Sequence, residues 1–205
     1  LSYGFMHRPL PPRGRVTLRL VYQRLACAFG PQHWWPARTP FEMMVGAILT
    51  QATNWHNVER AIGRLRRVGG LTPRGLLALR RGTLQRCVHP SGYFRQKAKR
   101  LRRFARWYIR RYRGEAARMF QSPLGPLRAE LLRQHGIGPE TADSILLYAG
   151  AKPVFVVDAY TKRVFRRHRL IRDSASYDSI QGLITRGMRT DVRRYNEFHA
   201  LLVEL

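Results

Sequence analysis

Cysteine is almost missing from this chain: Cys27 and Cys87 are the two among 205 residues. A single distant pair makes no disulfide framework, so both are expected to be buried small hydrophobes in a reducing compartment. Acidic residues are scarce as well. Twelve Asp and Glu stand against 38 Lys and Arg, a formal net charge of +26. Such a surplus points to a polyanionic partner and says nothing about fold. Long apolar runs are lacking, as is a basic amphipathic anchor, so no membrane segment is expected. The seven histidines are scattered. No His/Cys/Asp set has zinc spacing and no Walker-type loop occurs, so no metal ligands are assigned. No internal repeat is found. Residues 1–15 are basic and proline-rich without an apolar stretch, which excludes a secretory signal and predicts a mobile or loosely packed arm.

What is present is a globular composition, 44% hydrophobic, in a chain long enough for one large domain or two small lobes. Its apolar residues recur at helical spacing almost throughout. Val16 to Phe29 reads as a helix stopped by Gly30-Pro31, and His33-Trp34-Trp35-Pro36 as an aromatic loop. Thr39 can cap a helix through Phe41, Met44, Val45, Ile48 and Leu49. Further helices are predicted from about Asn54 to Arg67, Thr72 to Leu79, Leu84 to Val88 and Tyr93 to Arg113. The last is long and basic, with Ala98, Leu101, Phe104, Ala105, Tyr108 and Ile109 as its apolar stripe. Leu127–Gln134 and Pro139–Ala149 form a helical pair, and Ala159–Arg169, Tyr177–Met188 and Asp191–Leu205 complete the set. Only Val154–Val157 has strand character, and four residues cannot make a sheet alone. The fold class is therefore all-α.

The most informative stretch is Gln134-His135-Gly136-Ile137-Gly138-Pro139-Glu140-Thr141-Ala142 followed by Val154-Phe155-Val156-Val157-Asp158. Gly136 and Gly138 can adopt positive φ and present bare backbone N–H groups. Pro139 suits the first turn of a helix, whose unpaired amides make an anion site, a DNA phosphate being the obvious anion. Asp158 closes a hydrophobic run just before another helical stretch. A hairpin that grips phosphate beside an isolated carboxylate suggests chemistry on a nucleotide. Taken alone, the same features also suit a glycine turn and a helix-capping Asp.

These residues resemble the helix-hairpin-helix and catalytic aspartate of the endonuclease III superfamily of DNA glycosylases. Two further stretches, Trp34-Trp35-Pro36 ahead of Phe41 to Gln51, and Cys87 to Leu101, extend the likeness over roughly residues 33 to 165. They resemble most the type III 3-methyladenine branch. The resemblance implies a two-lobed helical fold with a substrate cleft between lobes. Residues 1–38 and 158–205 would build the terminal lobe, and residues 39–157 a six-helix lobe carrying the hairpin. It also implies a monomeric, cytoplasmic, nucleoid-associated enzyme of base-excision repair acting on damaged double-stranded DNA. Relatives with an iron–sulfur cluster hold it through four C-terminal cysteines, a set missing here, so no cofactor is expected. A structural monovalent or divalent cation at the hairpin is compatible with the resemblance.

The resemblance also assigns roles. Asp158 would stabilise the positive charge that builds on C1′ as the glycosidic bond breaks and would orient the attacking water. Strand-cutting relatives carry a lysine just before the hairpin Thr-Ala, and its amine forms a Schiff base. Glu140 occupies that position and cannot form an imine, which implies a monofunctional, water-using glycosylase without AP-lyase activity. A negative charge in the first helical turn is favourable in its own right. Trp34 and Trp55 would sandwich the flipped base, with Trp35 and Pro36 shaping the wall. A cationic N3-alkylpurine gains cation–π attraction there and needs little protonation to leave. Gln51 would fill the hole left by the extruded nucleotide. Gly136, Ile137, Gly138, Glu140, Thr141, Lys162 and Arg163 would contact phosphates, helped by the basic run Gln96, Lys97, Lys99, Arg100, Arg102 and Arg103. The expected activity is hydrolytic removal of alkylated purines, 3-methyladenine first among them. The alternatives are a glycosylase for mismatched or oxidised bases, or a non-catalytic helix-hairpin-helix DNA-binding protein.

Overall fold

The structure, a computed structural model, describes residues 17–205; the arm expected over residues 1–15 lies outside the described residues. Among those residues every regular element is helical. α1 (Leu18–Phe29) starts at a Thr17 cap and stops at Gly30. α2 (Pro40–Leu49) has its N-terminus fixed by Thr39, whose hydroxyl accepts the Glu42 amide. α3 (Trp55–Arg67) follows an Asn54 cap. α4 (Pro73–Ala78), α5 (Arg81–Val88) and a 3-10 turn at His89–Ser91 lead into the long α6 (Phe94–Tyr112). α7 (Ala116–Phe120) was not expected from the sequence, being too short to show a period. α8 (Leu124–Leu132) and α9 (Pro139–Ser144) flank the hairpin, and α9 runs on through a π-helical turn, Ile145–Ala149. α10 (Ala159–Arg167), α11 (Tyr177–Gly187) and α12 (Val192–Glu204) end the chain.

α2 is the core helix. Phe41 through Leu49 are all buried, and an apolar helix without a polar face must be enclosed on every side. It packs against α3, α6, α9 and the π-helical turn. α1 packs instead on α11 and α12, and α12 in turn touches α10 and the π-helical turn. Two helical groups thus meet along α2, the π-helical turn and α12. Cys87 is buried as expected, but Cys27 faces solvent, because α1 has only one face against α12.

The basic stripe on α6 is not uniformly a solvated face. Lys97 is 1% exposed and donates to Leu49 O at 2.8 Å and to Ser91 O. It ties the end of α2 to the His-Pro-Ser-Gly turn and is removed from any phosphate-tracking role. Burial, then the Arg100 charge, pushes its pKa down to about 8. Arg102 is likewise engaged, donating to Leu79 O at 2.8 Å. Lys99 and Arg103 remain exposed.

The apolar run Val154–Val157 is buried, has no regular secondary structure and pairs with no strand among the described residues. Side chains satisfy its backbone instead. The Val157 amide donates to the Tyr177 hydroxyl at 3.3 Å, and Gln181 Nε2 donates to Phe155 O at 2.6 Å. Both side chains also bond Asp143, which is fully buried on α9: Tyr177 at 2.8 Å and Gln181 at 2.8 Å. Arg128 on α8 completes the set with a fork to the same carboxylate at 2.7 and 3.1 Å. One carboxylate thus connects both hairpin helices and α11 to the run that ends at Asp158. Asp143→Asn should lower stability by roughly 3–5 kcal/mol, as expected when one member of a buried pair is removed. That corresponds to a fall in thermal midpoint of about 10 °C for a chain of this size. A midpoint within a degree or two of the parent would show that this network is not structural.

Candidate active site

Asp158 caps α10. Its Oδ1 accepts the Thr161 amide at 2.7 Å, and 9% of the residue is exposed. On the other side, Oδ2 lies 3.4 Å from Nε2 of His199, a residue 4% exposed on α12. The His199 Nδ1 is 2.5 Å from the hydroxyl of Tyr148, which belongs to the π-helical turn. Burial alone would raise the Asp158 pKa. The nearby His199 imidazole, with the Thr161 amide, outweighs it and holds the carboxyl below its usual range. The buried polar atoms without a hydrogen-bond partner among the described residues are Thr161 Oγ1 and His199 Nε2, both beside this carboxylate.

Asp158 and His199 line one cavity of about 90 Å³, together with Trp34, Trp35, Trp55, Glu140 and Thr141. The three indoles form a cluster, with Trp34 and Trp55 at 6.3 Å and 47° and Trp35 edge-on to Trp55 at 5.0 Å. Trp35 and Trp55 lean on the core, whereas Trp34 is not part of that packing. Gly46 makes room for Trp35, since a Cβ there would come within 3.3 Å of the indole. A base held between two rings needs near-parallel planes about 7 Å apart. Trp34 and Trp55 must therefore swing to receive one, and the expected sandwich is not preformed. Pro36 is not in this wall. It lines a separate hollow with Glu42 and Arg66, because the chain turns away after Trp35.

The hairpin departs from expectation in instructive ways. Gly136 has φ +83°, and a Cβ there would meet Arg100 Nε at 2.6 Å. Gly138 has φ −94°, an ordinary extended conformation, and nothing lies near where a Cβ would stand. Its smallness leaves open space beside α9, whose first turn has no capping side chain. Ile137 is buried, and its amide already donates to Gln134 O at 3.0 Å, so neither is free for a phosphate. The side chains of Glu140 and Thr141 line the cavity. Gln51 does not project freely. Its amide nitrogen donates to Gly136 O at 2.8 Å and Thr141 Oγ1 at 2.9 Å, and its oxygen accepts from Arg100. The turn after α2 is thereby fastened to the hairpin. Arg163 stacks on Tyr160 at 4.9 Å and remains exposed with it, while Lys162 lies one position earlier, half-buried near Glu140.

Two members of the site were missed from the sequence, His199 and Tyr148. The signal for the first was present: Phe198-His199-Ala200-Leu201-Leu202 puts a titratable group within an apolar helical stripe. Tyr148, in the apolar run after the hairpin, carried no such mark. Among the described residues no group of His, Cys, Asp and Glu could hold a metal, and no helix is long and apolar enough to cross a membrane.

An all-helical fold with a glycine hairpin, an aromatic cavity and one buried capping aspartate defines a DNA glycosylase of the helix-hairpin-helix type. The chain belongs to the HhH-GPD superfamily of base excision DNA repair proteins, whose profile matches residues 45–189. A candidate DNA repair glycosylase of Methanocaldococcus jannaschii is 44% identical over 186 residues, which is 90% of this chain and 84% of that protein. Endonuclease III of Thermotoga maritima is 30% identical over 128 residues, covering 62% of this chain and 56% of that protein. Among solved structures, the 3-methyladenine DNA glycosylase of Helicobacter pylori bound to 1,N6-ethenoadenine superposes with a TM-score of 0.77. It is 29% identical and covers 90% of this chain and 94% of that one.

The pairing of His199 with Asp158 carries its own test. His199→Phe leaves desolvation as the dominant influence on the carboxyl, so its pKa should rise. The acid limb of the pH–rate profile for base release should then move to higher pH, with a smaller movement for Tyr148→Phe, which keeps the imidazole. An acid limb that stays in place in His199→Phe would show that the histidine only fills space.

Proposed function

We propose that this glycosylase is monofunctional and removes alkylated purines, 3-methyladenine foremost, leaving an abasic site in an intact strand. The observation that carries the reading is the composition of the cavity wall: a buried ionised Asp158, three indoles, and Glu140 in place of an amine. Among the described residues that line it there is no lysine, which supports a water-using reaction over an imine-forming one. Asp158 is fixed before the reaction and spends nothing on reorganisation as charge grows on C1′. Indole faces favour a cationic alkylpurine over a normal base by on the order of 0.5–2 kcal/mol. Residues 39–157 would serve as the DNA-gripping lobe, with Lys162, Arg163 and the open side of Gly138 at phosphates. In this scheme Gln51 reaches the vacated stack only by releasing Gly136 and Thr141.

The direct test is release of base from methylated duplex, followed by strand analysis with and without hot alkali. Breaks should appear only after alkali, and borohydride should trap no protein on the DNA. Asp158→Asn should slow release by about 10²–10³-fold, the range for losing one transition-state stabiliser, with DNA affinity kept or improved. The likeness to endonuclease III favours a second reading, removal of mismatched or oxidised bases. Preferential release from duplexes carrying those lesions, with strand cutting before alkali, would establish it instead.

The charge surplus generates a separate expectation. Affinity for undamaged duplex should fall about 10³-fold or more between roughly 50 and 200 mM salt if about six or more phosphates are contacted. A flat response would assign the basic surplus to solubility alone.

A further inference from the structure

Two carboxyl groups line the cavity, and their surroundings differ in kind. Asp158 is buried and bound as an acceptor by the Thr161 amide, with His199 against its second oxygen. It has no proton to give. Glu140 stands at the cavity mouth on the first turn of α9, open to solvent along part of its surface. Its side chain enters no hydrogen bond or ion pair among the described residues, and only its backbone oxygen is engaged, by Ser144 Oγ at 2.7 Å. The charged and titratable groups around it are Asp158 ahead of α10, Lys162 on α10 and His199 on α12. Protein crowding, then the Asp158 charge, raises the Glu140 pKa, and His199 and Lys162 offset this only in part. The nearby Tyr148 hydroxyl does not line the cavity and is committed to His199.

We propose that Glu140 donates a proton to the departing base, opposite the ionised Asp158, and that this opens the pocket to neutral purine lesions as well as cationic ones. The inference rests on the glycosylase reading above and corrects the expectation that leaving-base protonation matters little. The carboxyl proton of Glu140 passes to a ring nitrogen of the base. The C1′–N bond breaks with its electron pair remaining on the base, and the sugar cation forms beside Asp158. Water then adds to C1′, and the proton it loses returns to the Glu140 carboxylate, which restores the acid. A cationic alkylpurine leaves as a neutral molecule and gains little from that proton. A neutral lesion would leave as an anion without it. Two carboxyls whose environments push their protonation apart divide acid and charge-stabilising roles in the same way in glycoside hydrolysis.

The test uses the full chain in single-turnover release from three duplexes, one carrying 7-methylguanine, one hypoxanthine and one 1,N6-ethenoadenine, between about pH 5 and pH 9. For the neutral lesions the wild-type rate should fall as pH rises through the Glu140 pKa, approaching about ten-fold per unit. The 7-methylguanine rate should show a much shallower decline. Glu140→Gln should lower the ratio of neutral-lesion to 7-methylguanine rates by about 10²-fold, the low end for a positioned general acid, and abolish the slope. Glu140→Asp should retain the slope at a reduced rate. Equal losses on all three duplexes in Glu140→Gln, or a neutral-lesion slope that survives it, would overturn the proposal. Wild-type protein that releases 7-methylguanine but neither neutral base also overturns it and leaves the alkylpurine reading standing. Release of no base from any of the three duplexes overturns the proposal, and it defeats the alkylpurine reading as well if 3-methyladenine is not released from methylated duplex either.

Discussion

A carboxylate kept ionised in an apolar cleft is the constraint around which this molecule is organised. Removing such a charge from water costs several kcal/mol unless hydrogen bonds and opposite charge replace the solvent. Asp158 receives that replacement from different parts of the chain. The Thr161 amide comes from its own helix, and His199 comes from α12, itself set by Tyr148 of the π-helical turn. The approach to Asp158 is fixed separately, by Tyr177 and Gln181, which are held by Asp143 and satisfy the backbone of a run that has no sheet to join. The aspartate can therefore be oriented without being part of regular secondary structure.

The same arrangement explains why the site lies where two helical groups meet. α2 and the hairpin supply Ala47, Thr50, Glu140 and Thr141, while α12 supplies His199 and Val203. A cleft between packed groups can exclude water and still open by small relative movements. The indole cluster fits that picture, since its rings are tilted and must part to admit a base. Gln51 and Arg100 fasten the turn after α2 to the hairpin. Gripping the backbone and shaping the pocket are thereby coupled mechanically.

How much of this was legible in the chain differs by the kind of signal. Helix starts at Thr39, Asn54 and Thr72 were readable because a cap is a local hydrogen bond, made within three residues. Asp158 stood out because a polar residue closing an apolar run is a break in pattern. Glu140 was noticed for what it cannot do, and its partnership with Asp158 was invisible, since eighteen positions separate them. The burial of Ile137 and the turning of the Glu140 and Thr141 side chains into the cavity have a physical reason. A turn that presents amides on one side must bury or redirect its remaining side chains on the other. Lys97 misled in a similar way, because a charge in a basic run looks solvated until two carbonyls close over it.

The sequence by itself determined the helical class, the order of the longer helices, the hairpin, the basic character and the catalytic candidate at Asp158. Periodicity, capping and composition act over a few residues or over the whole chain, and neither needs a fold to be read. Only the tertiary structure decided which groups meet Asp158 and which way Glu140 and Gln51 turn. It alone showed that Pro36 leaves the pocket wall and that one lysine of the basic helix is buried. Those outcomes depend on contacts between residues far apart in the chain, where packing and the cost of burying charge select the partners.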